Sequence, residues 1–219
     1  ISREDKLPEG LPSDTFVAVV PDTRRALGRL GSMVRSRLDG PVIAVTGSVG
    51  KTTVKDMAVS ALRAFGSCGR SPGNWNNDIG VPLSLFALEG SERHVVLELG
   101  MSAPGEISDL TEMVQPDVGL VTTAAAAHLE FFDSVDAIAD AKAELYEALP
   151  PKSVAVACAD DARVLKRAKR LAGDRLLTYG LDESADVRVT NIEISERGLT
   201  ARIEMPDEVV TVNLNAQPK

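Results

Sequence analysis

The stretch "PVIAVTGSVGKTTVKDMAVSALRAF", residues 41–65, decides the fold. Its opening run is apolar and β-branched, as in a strand buried on both faces. Val54, Met57, Ala58, Ala61, Leu62 and Phe65 then recur at three- and four-residue steps, which predicts a helix with one buried stripe. Between the two lies "TGSVGKTT", residues 46–53, where a strand hands over to a helix. Unpaired N–H groups and the positive end of the helix dipole favour an anion there. Gly47 and Gly50 would let the backbone approach a phosphate, with Ser48 and Val49 between them. Lys51 would neutralise β/γ-phosphate charge, and the Thr52 hydroxyl is placed to hold Mg²⁺. Thr53 is either a further contact or a first-turn helix residue. The common phosphate loop puts four residues between its glycines, whereas these enclose two. The bland alternative is a glycine-bearing turn followed by a surface lysine.

Working outward, apolar runs alternate with helical patterns from residue 41 to about 180. Strands are expected at Val42–Thr46, His94–Leu99, Val118–Thr122, Val154–Ala157 and Leu176–Tyr179. Helices are expected to start near Lys51, Ile79, Pro104, Ser134 and Asp160. This predicts an α/β fold: a mostly parallel sheet flanked by helices. After Gly180, "ADVRVTNIEIS", "GLTARIEMP" and "EVVTVNLN" alternate apolar and polar, with "ERG" and "PDE" as turns, so antiparallel strands should be appended. Upstream, "KLPEGLPSD" is a connection, "TFVAVV" reads as a short strand, and "DTRRALGRLGSMVRSRL" reads as a helix capped at Asp22 or Thr23.

Bulk properties narrow the classes. Net charge is −8, and the strongest basic cluster is "RVLKRAKR", which argues against a nucleic-acid surface and for a cytoplasmic protein. No apolar run approaches a membrane span, and "ISREDKLPEG" lacks signal-peptide features. The two cysteines, Cys68 and Cys158, form no metal-spaced pattern and read as free thiols.

Further candidates lie along the same strand ends. Glu98 closes "HVVLEL" at the carboxyl edge of a parallel strand, where open α/β sheets bind ligands. A carboxylate beside a phosphate loop suits Mg²⁺, although a strand-end glutamate can simply face water. His128 follows "DVGLVTT" and falls on the same edge. In the helix after Ser134, Val135, Ile138, Leu145 and Leu149 form a stripe whose missing step is Lys142, which is therefore aimed inward. Most such lysines snorkel to water, but a desolvated ammonium tends to lose its proton. Asn74, Asn76 and Asn77 in "GNWNND" form a polar loop, either turn chemistry or a substrate contact. Trp75, the sole tryptophan, reads as local packing.

"TGSVGKTT" resembles the shortened ATP loop of the Mur ligase family. "GNWNNDIGVPLSL" (73–85), "ELGMSAPGEI" (98–107), "AAAHLEFF" (125–132) and "AKAELY" (141–146) are similar to further family blocks, in the family's order over residues 41–150. Their wording is most similar to the member that adds D-Ala-D-Ala to a UDP-N-acetylmuramoyl tripeptide through an acyl phosphate, in peptidoglycan precursor synthesis. The resemblance implies residues 1–40 as the end of an N-terminal UDP-sugar-binding domain plus a junction helix, and 41–219 as the central ATP-binding domain, with the C-terminal domain absent. It implies ATP, two Mg²⁺ ions, and Lys51, His128 and Lys142 in catalytic roles. Thr52, Glu98, His128 and a carbamylated Lys142 would be the metal ligands. A monomer is expected, with no nucleic-acid partner. Two departures stand out: Val49 replaces a common asparagine, and Thr122-Thr123 replaces asparagines that often precede the histidine segment. A related amino-acid-adding ligase, a folylpolyglutamate synthetase-like enzyme, or a nucleotide-binding module without turnover are the alternatives.

Overall fold

The apolar runs become strands because each can bury two faces. In the computed structural model, which describes residues 2, 10–126, 132–196 and 198–215, the first is β1 (Val42–Thr46). It pairs in parallel with β3 (His94–Glu98) on one side and β4 (Val118–Val121) on the other. Outside β3 lies the short edge strand β2 (Cys68–Arg70), and beyond β4 lie β5 (Val154–Cys158) and β6 (Leu176–Gly180), all parallel. Only the three-residue β2 has no counterpart among the expected strands.

Side chains alternate across this sheet with the two-residue period of a pleat. Val42, Ala44, Val95 and Leu97 point to one face. That face is covered by α3 (Gly80–Phe86), α4 (Glu106–Val114), α5 (Val135–Glu147) and α6 (Ala162–Ala172). Val45 and Val96 point to the other, where α2 (Lys51–Leu62) lays Val59, Val54, Ala58 and Leu62 on them. The stripe expected on α2 is therefore corrected. Met57 and Phe65 are exposed, as is Ala61, because the helix is rolled to bury Lys55 and Val59 instead. The roll follows from polar acceptors under Lys55, described below.

α1 (Thr23–Arg35) forms as expected, capped by Asp22, whose carboxylate accepts from the Arg24 and Arg25 amides. It packs through two glycines: a methyl on Gly28 would meet Met113, and one on Gly31 would meet Pro82. Arg35 then donates to the Val114 carbonyl (2.7 Å), the Gln115 carbonyl (2.9 Å) and Asp117 (3.0 Å), fixing α1 to the end of α4. The strand expected at 15–20 does not form. The sheet takes up no strand there, and Phe16 is 91% exposed.

The C-terminal texture change is real. β7 (Val187–Ser195) joins β6 in parallel through only two pairs. β8 (Gly198–Glu204) and β9 (Val209–Asn215) then continue antiparallel. "PDE" turns as expected, with Met205 and Glu208 exchanging backbone hydrogen bonds; in "ERG", Arg197 lies outside the described residues. A register shift between Thr190 and Glu193, with Asn191 at φ 49°, bends the β7–β8 pair.

The sheet order β2-β3-β1-β4-β5-β6-β7-β8-β9 sets the site. The chain leaves β1 toward β2 on one side and later returns past β1 to β4 on the other. The carboxyl ends of β3, β1 and β4 therefore border a switch point, where open α/β sheets bind ligands.

Candidate functional site

The glycine loop is built by its neighbours as much as by its own residues. Gly47 leaves β1 at φ 147°, and a side chain there would run into the Thr122 hydroxyl. That hydroxyl donates to the Val49 carbonyl (2.6 Å), and Ser48 is gripped by the same segment. Its amide donates to Thr123 O (2.8 Å), and its hydroxyl donates to Ala125 O (3.0 Å) while accepting from Ala125 N (2.9 Å). Thr122 and Thr123 thus hold the loop directly. Gly50, at φ 85°, closes it, and α2 starts at Lys51 with no side chain capping its N-terminus among the described residues. The first-turn amides of Lys51, Thr52 and Thr53 are the donors an anion would use. Lys51 arches back so that Nζ donates to Gly47 O (2.8 Å). Val49 and Thr53 are exposed.

Glu98 ends β3 with only 1% exposure, and three side chains converge on it. Thr52 Oγ1 donates to Oε2 (2.7 Å), and Asn76 Nδ2 donates to Oε1 (2.8 Å). Lys55 Nζ stands 3.8 Å from Oε2. Gly100 makes room for this: a methyl there would lie 2.7 Å from the Asn76 carboxamide, and the Gly100 amide donates to Asn76 O (2.7 Å). Because the Thr52 hydroxyl gives its proton to Glu98, its lone pairs are free for a cation. Among the described residues, no cluster of three or more His, Cys, Asp or Glu could hold a metal. A hydroxyl plus one carboxylate nevertheless suits Mg²⁺, which keeps waters and takes further oxygens from phosphates.

Lys142 of α5 is 3% exposed and lines a cavity of about 540 Å³ with Gly47, Lys51, Asn76 and Asn77. Burial, helped by the nearby charge of Lys51, pulls its pKa down to about 8. Two residues on, Glu144 reaches across to α4 and accepts from Gly105 N (2.7 Å) and Ser108 N (3.2 Å), fixing α5 beside the cavity. Asn77 Oδ1 accepts from Ile79 N (3.3 Å) and Gly80 N (2.8 Å) just before α3, turn chemistry on a residue that also lines the cavity. Asn74 is exposed and does not line the cavity. Trp75 presses its backbone on Gly80 but is 43% exposed as a residue, less packed than expected. His128 lies outside the described residues. Cys68 and Cys158 are free.

The site residue that sequence reasoning missed is Lys55. It is 1% exposed, and its Nζ donates to the carbonyls of Gly73 (2.7 Å) and Ser71 (3.2 Å) besides facing Glu98. The stripe logic that singled out Lys142 also applies here, since Val59 and Leu62 follow Lys55 at four and seven residues.

A switch-point crevice with a glycine loop, an arching lysine and a hydroxyl–carboxylate pair defines an α/β domain of the phosphate-loop class. The chain belongs to the Mur ligase family: residues 45–219 match the Mur ligase middle domain. It is 36% identical over 197 residues to the UDP-N-acetylmuramoyl-tripeptide–D-alanyl-D-alanine ligase of Escherichia coli (strain K12), covering 90% of this chain and 44% of that one. Among solved structures it resembles MurF from Acinetobacter baumannii (TM-score 0.85, 34% identity, 94% of this chain and 46% of that one). It also resembles MurF ligase from Thermotoga maritima in complex with ADP (TM-score 0.84, 31% identity, 95% and 48%). The chain thus spans less than half the length of these relatives.

Proposed function

We propose that this chain is the ATP-binding middle domain of a ligase that joins D-Ala-D-Ala to the terminal carboxylate of a UDP-N-acetylmuramoyl tripeptide. The observation that carries the reading is the convergence of Thr52 and Asn76 on buried Glu98, beside the loop arched by Lys51. Residues 1–40 are the end of a UDP-sugar-binding domain with its junction helix, and 41–219 the central domain. The substrate carboxylate attacks the γ-phosphoryl group of ATP and ADP leaves, giving an acyl phosphate. The dipeptide amine then attacks the acyl carbon and phosphate departs, with the amine proton passing to solvent. Little protein covalent chemistry is needed, so the residues act by positioning and neutralisation.

Gly47, Ser48, Val49, Gly50, Lys51, Thr52 and Thr53 cradle the phosphates, with Lys51 supplying the cation. Thr52 and Glu98 are the groups that would hold Mg²⁺, which when bound spreads the charge developing on the phosphoryl oxygens. His128 and Lys142 would hold a second such ion. Lys142 does so as a carbamate: its neutral amine bonds to CO₂ and gives up a proton, turning a cation into a carboxylate. The lowered pKa of Lys142 supports this, since a larger share of the amine is unprotonated near neutrality. Asn74, Asn76 and Asn77 are assigned to contacts with the UDP-linked substrate, and of the three Asn76 and Asn77 line the cavity. The protein works in the cytoplasm as a monomer; no described helix is long and apolar enough to cross a membrane.

A substrate panel with the full-length protein tests the reading. Phosphate release that depends on D-Ala-D-Ala supports it, and release that depends on glutamate overturns it in favour of a folylpolyglutamate synthetase-like enzyme. Residues 1–219 alone should show negligible turnover, and robust product from them would show the domain boundary to be misplaced. Peptide mass analysis of the nucleotide-bound full-length protein should show one CO₂ added at Lys142.

A further inference from the structure

Three segments that carry the site meet at one ammonium. Lys55 leaves α2 one turn after Lys51 and runs inward to 1% exposure. Its Nζ donates to Gly73 O (2.7 Å) and Ser71 O (3.2 Å), at the start of the loop that bears Asn76 and Asn77. It also stands 3.8 Å from Glu98 Oε2 at the end of β3, with Asp56 Oδ1 at 4.0 Å on its outer side. Ser71 reinforces the junction, since its hydroxyl accepts from Glu98 N (3.0 Å) and its amide donates to Val96 O (3.2 Å). A buried carboxylate needs an opposite charge or several donors. Lys55 supplies the charge, while Thr52 and Asn76 supply hydrogen-bond donors, of which Asn76 also lines the cavity.

We propose that Lys55 is a positioning residue that ties the asparagine loop to the phosphate-loop helix and sets Glu98 for the cation. The proposal rests on the reading of Glu98 as a Mg²⁺ group. An ordinary structural ion pair would add stability and nothing else. Lys55 instead spans the three segments whose spacing defines the site: α2 with Thr52, the 71–77 loop with Asn76, and β3 with Glu98. When it is removed, the loop loses two of its inward anchors, and the Glu98 carboxylate keeps only its Thr52 and Asn76 donors among the described residues. Binding of nucleotide should then demand more Mg²⁺, because the carboxylate is no longer held in one place. The effect belongs to metal-dependent binding and to the loop's own motion, both readable without turnover.

The test uses the full-length protein with Lys55→Met, Lys55→Gln and Lys55→Arg. One measurement is the Mg²⁺ concentration giving half-maximal ADP binding by calorimetry. The other is amide hydrogen exchange across residues 71–77. Lys55→Met should raise the Mg²⁺ requirement about tenfold, in the range seen when partners of metal ligands are lost, and should accelerate exchange in 71–77. Lys55→Arg, which keeps the charge, should recover part of both. Should Lys55→Met fail to fold, Lys55→Gln carries the same readouts, because it keeps a donor and loses the charge. A folded neutral variant with a lower melting temperature, wild-type Mg²⁺ requirement and wild-type exchange overturns the proposal. If the wild-type protein shows no Mg²⁺-dependent nucleotide binding, the nucleotide reading falls, and exchange in 71–77 alone decides whether Lys55 anchors the loop.

Discussion

Two lysines, Lys55 and Lys142, are buried on helices that flank the same strand ends, yet their surroundings are opposite. Lys55 has two carbonyl acceptors and the Glu98 carboxylate within reach. Lys142 has no hydrogen-bond or ion-pair partner among the described residues, and its strongest electrostatic neighbour is another cation, Lys51. Burial with a partner fixes a charge in place, whereas burial without one works against the charge itself. The first arrangement makes a strut. The second lowers the pKa of the amine to about 8.

The largest effect expected lies between them, at Lys51. Lys51→Ala should weaken ATP·Mg²⁺ binding by about two orders of magnitude, the scale of removing one preorganised charge partner; calorimetric titration reads it directly. Binding unchanged by that variant would detach both buried lysines from any phosphate site.

Stability separates the pair next. Lys55→Met leaves Glu98 buried without its counter-charge and should cost about 3 kcal/mol in urea unfolding. Lys142→Met removes an unpaired buried ammonium and should cost nothing, or should stabilise. Equal losses would erase the contrast.

The pH dependence sharpens it further. The folded pKa of Lys142 is about 8 against an ordinary 10.5. Below pH 8 both folded and unfolded chains hold the proton, and the burial penalty is present in full. From pH 8 to 10.5 the unfolded chain binds more protons, so unfolding free energy rises, by at most about 3 kcal/mol at 1.36 kcal/mol per pH unit. Lys142→Met should lack this climb in urea midpoints followed across that window. Tyr146, whose hydroxyl burial pushes upward in pKa, loses stability at high pH in both proteins and cancels in the difference.

The smallest effect concerns the loop's support. Thr122→Val deletes the hydroxyl that donates to Val49 O and should cost about 1 kcal/mol of stability. Nucleotide affinity should fall only a few-fold, since the Ser48 contacts remain.

Much of this was legible in the sequence because it depended on local periodicity. The five longer parallel strands are apolar almost throughout, and the cap at Asp22 is a side chain that accepts from nearby amides. The inward aim of Lys142 followed from the stripe of α5. What escaped depended on partners distant in sequence. "TFVAVV" has strand composition, but a strand needs a neighbour, and the sheet supplies none there. β2 is three residues with two small ones, paired through an edge set by β3. Lys55 was missed because its acceptors, Ser71 and Gly73, lie in a loop with no pattern of its own. With Lys55 drawn inward to those acceptors, Met57 and Phe65 face outward.

The most direct measurement is a crystal structure of the full-length protein soaked with ADP and Mn²⁺, with the ion located by its anomalous scattering. The expected result is an ion coordinated by Thr52 Oγ1 and a Glu98 oxygen, with phosphate oxygens on the amides of residues 51–53. An ion and nucleotide bound away from Lys51, Thr52 and Glu98 would contradict it.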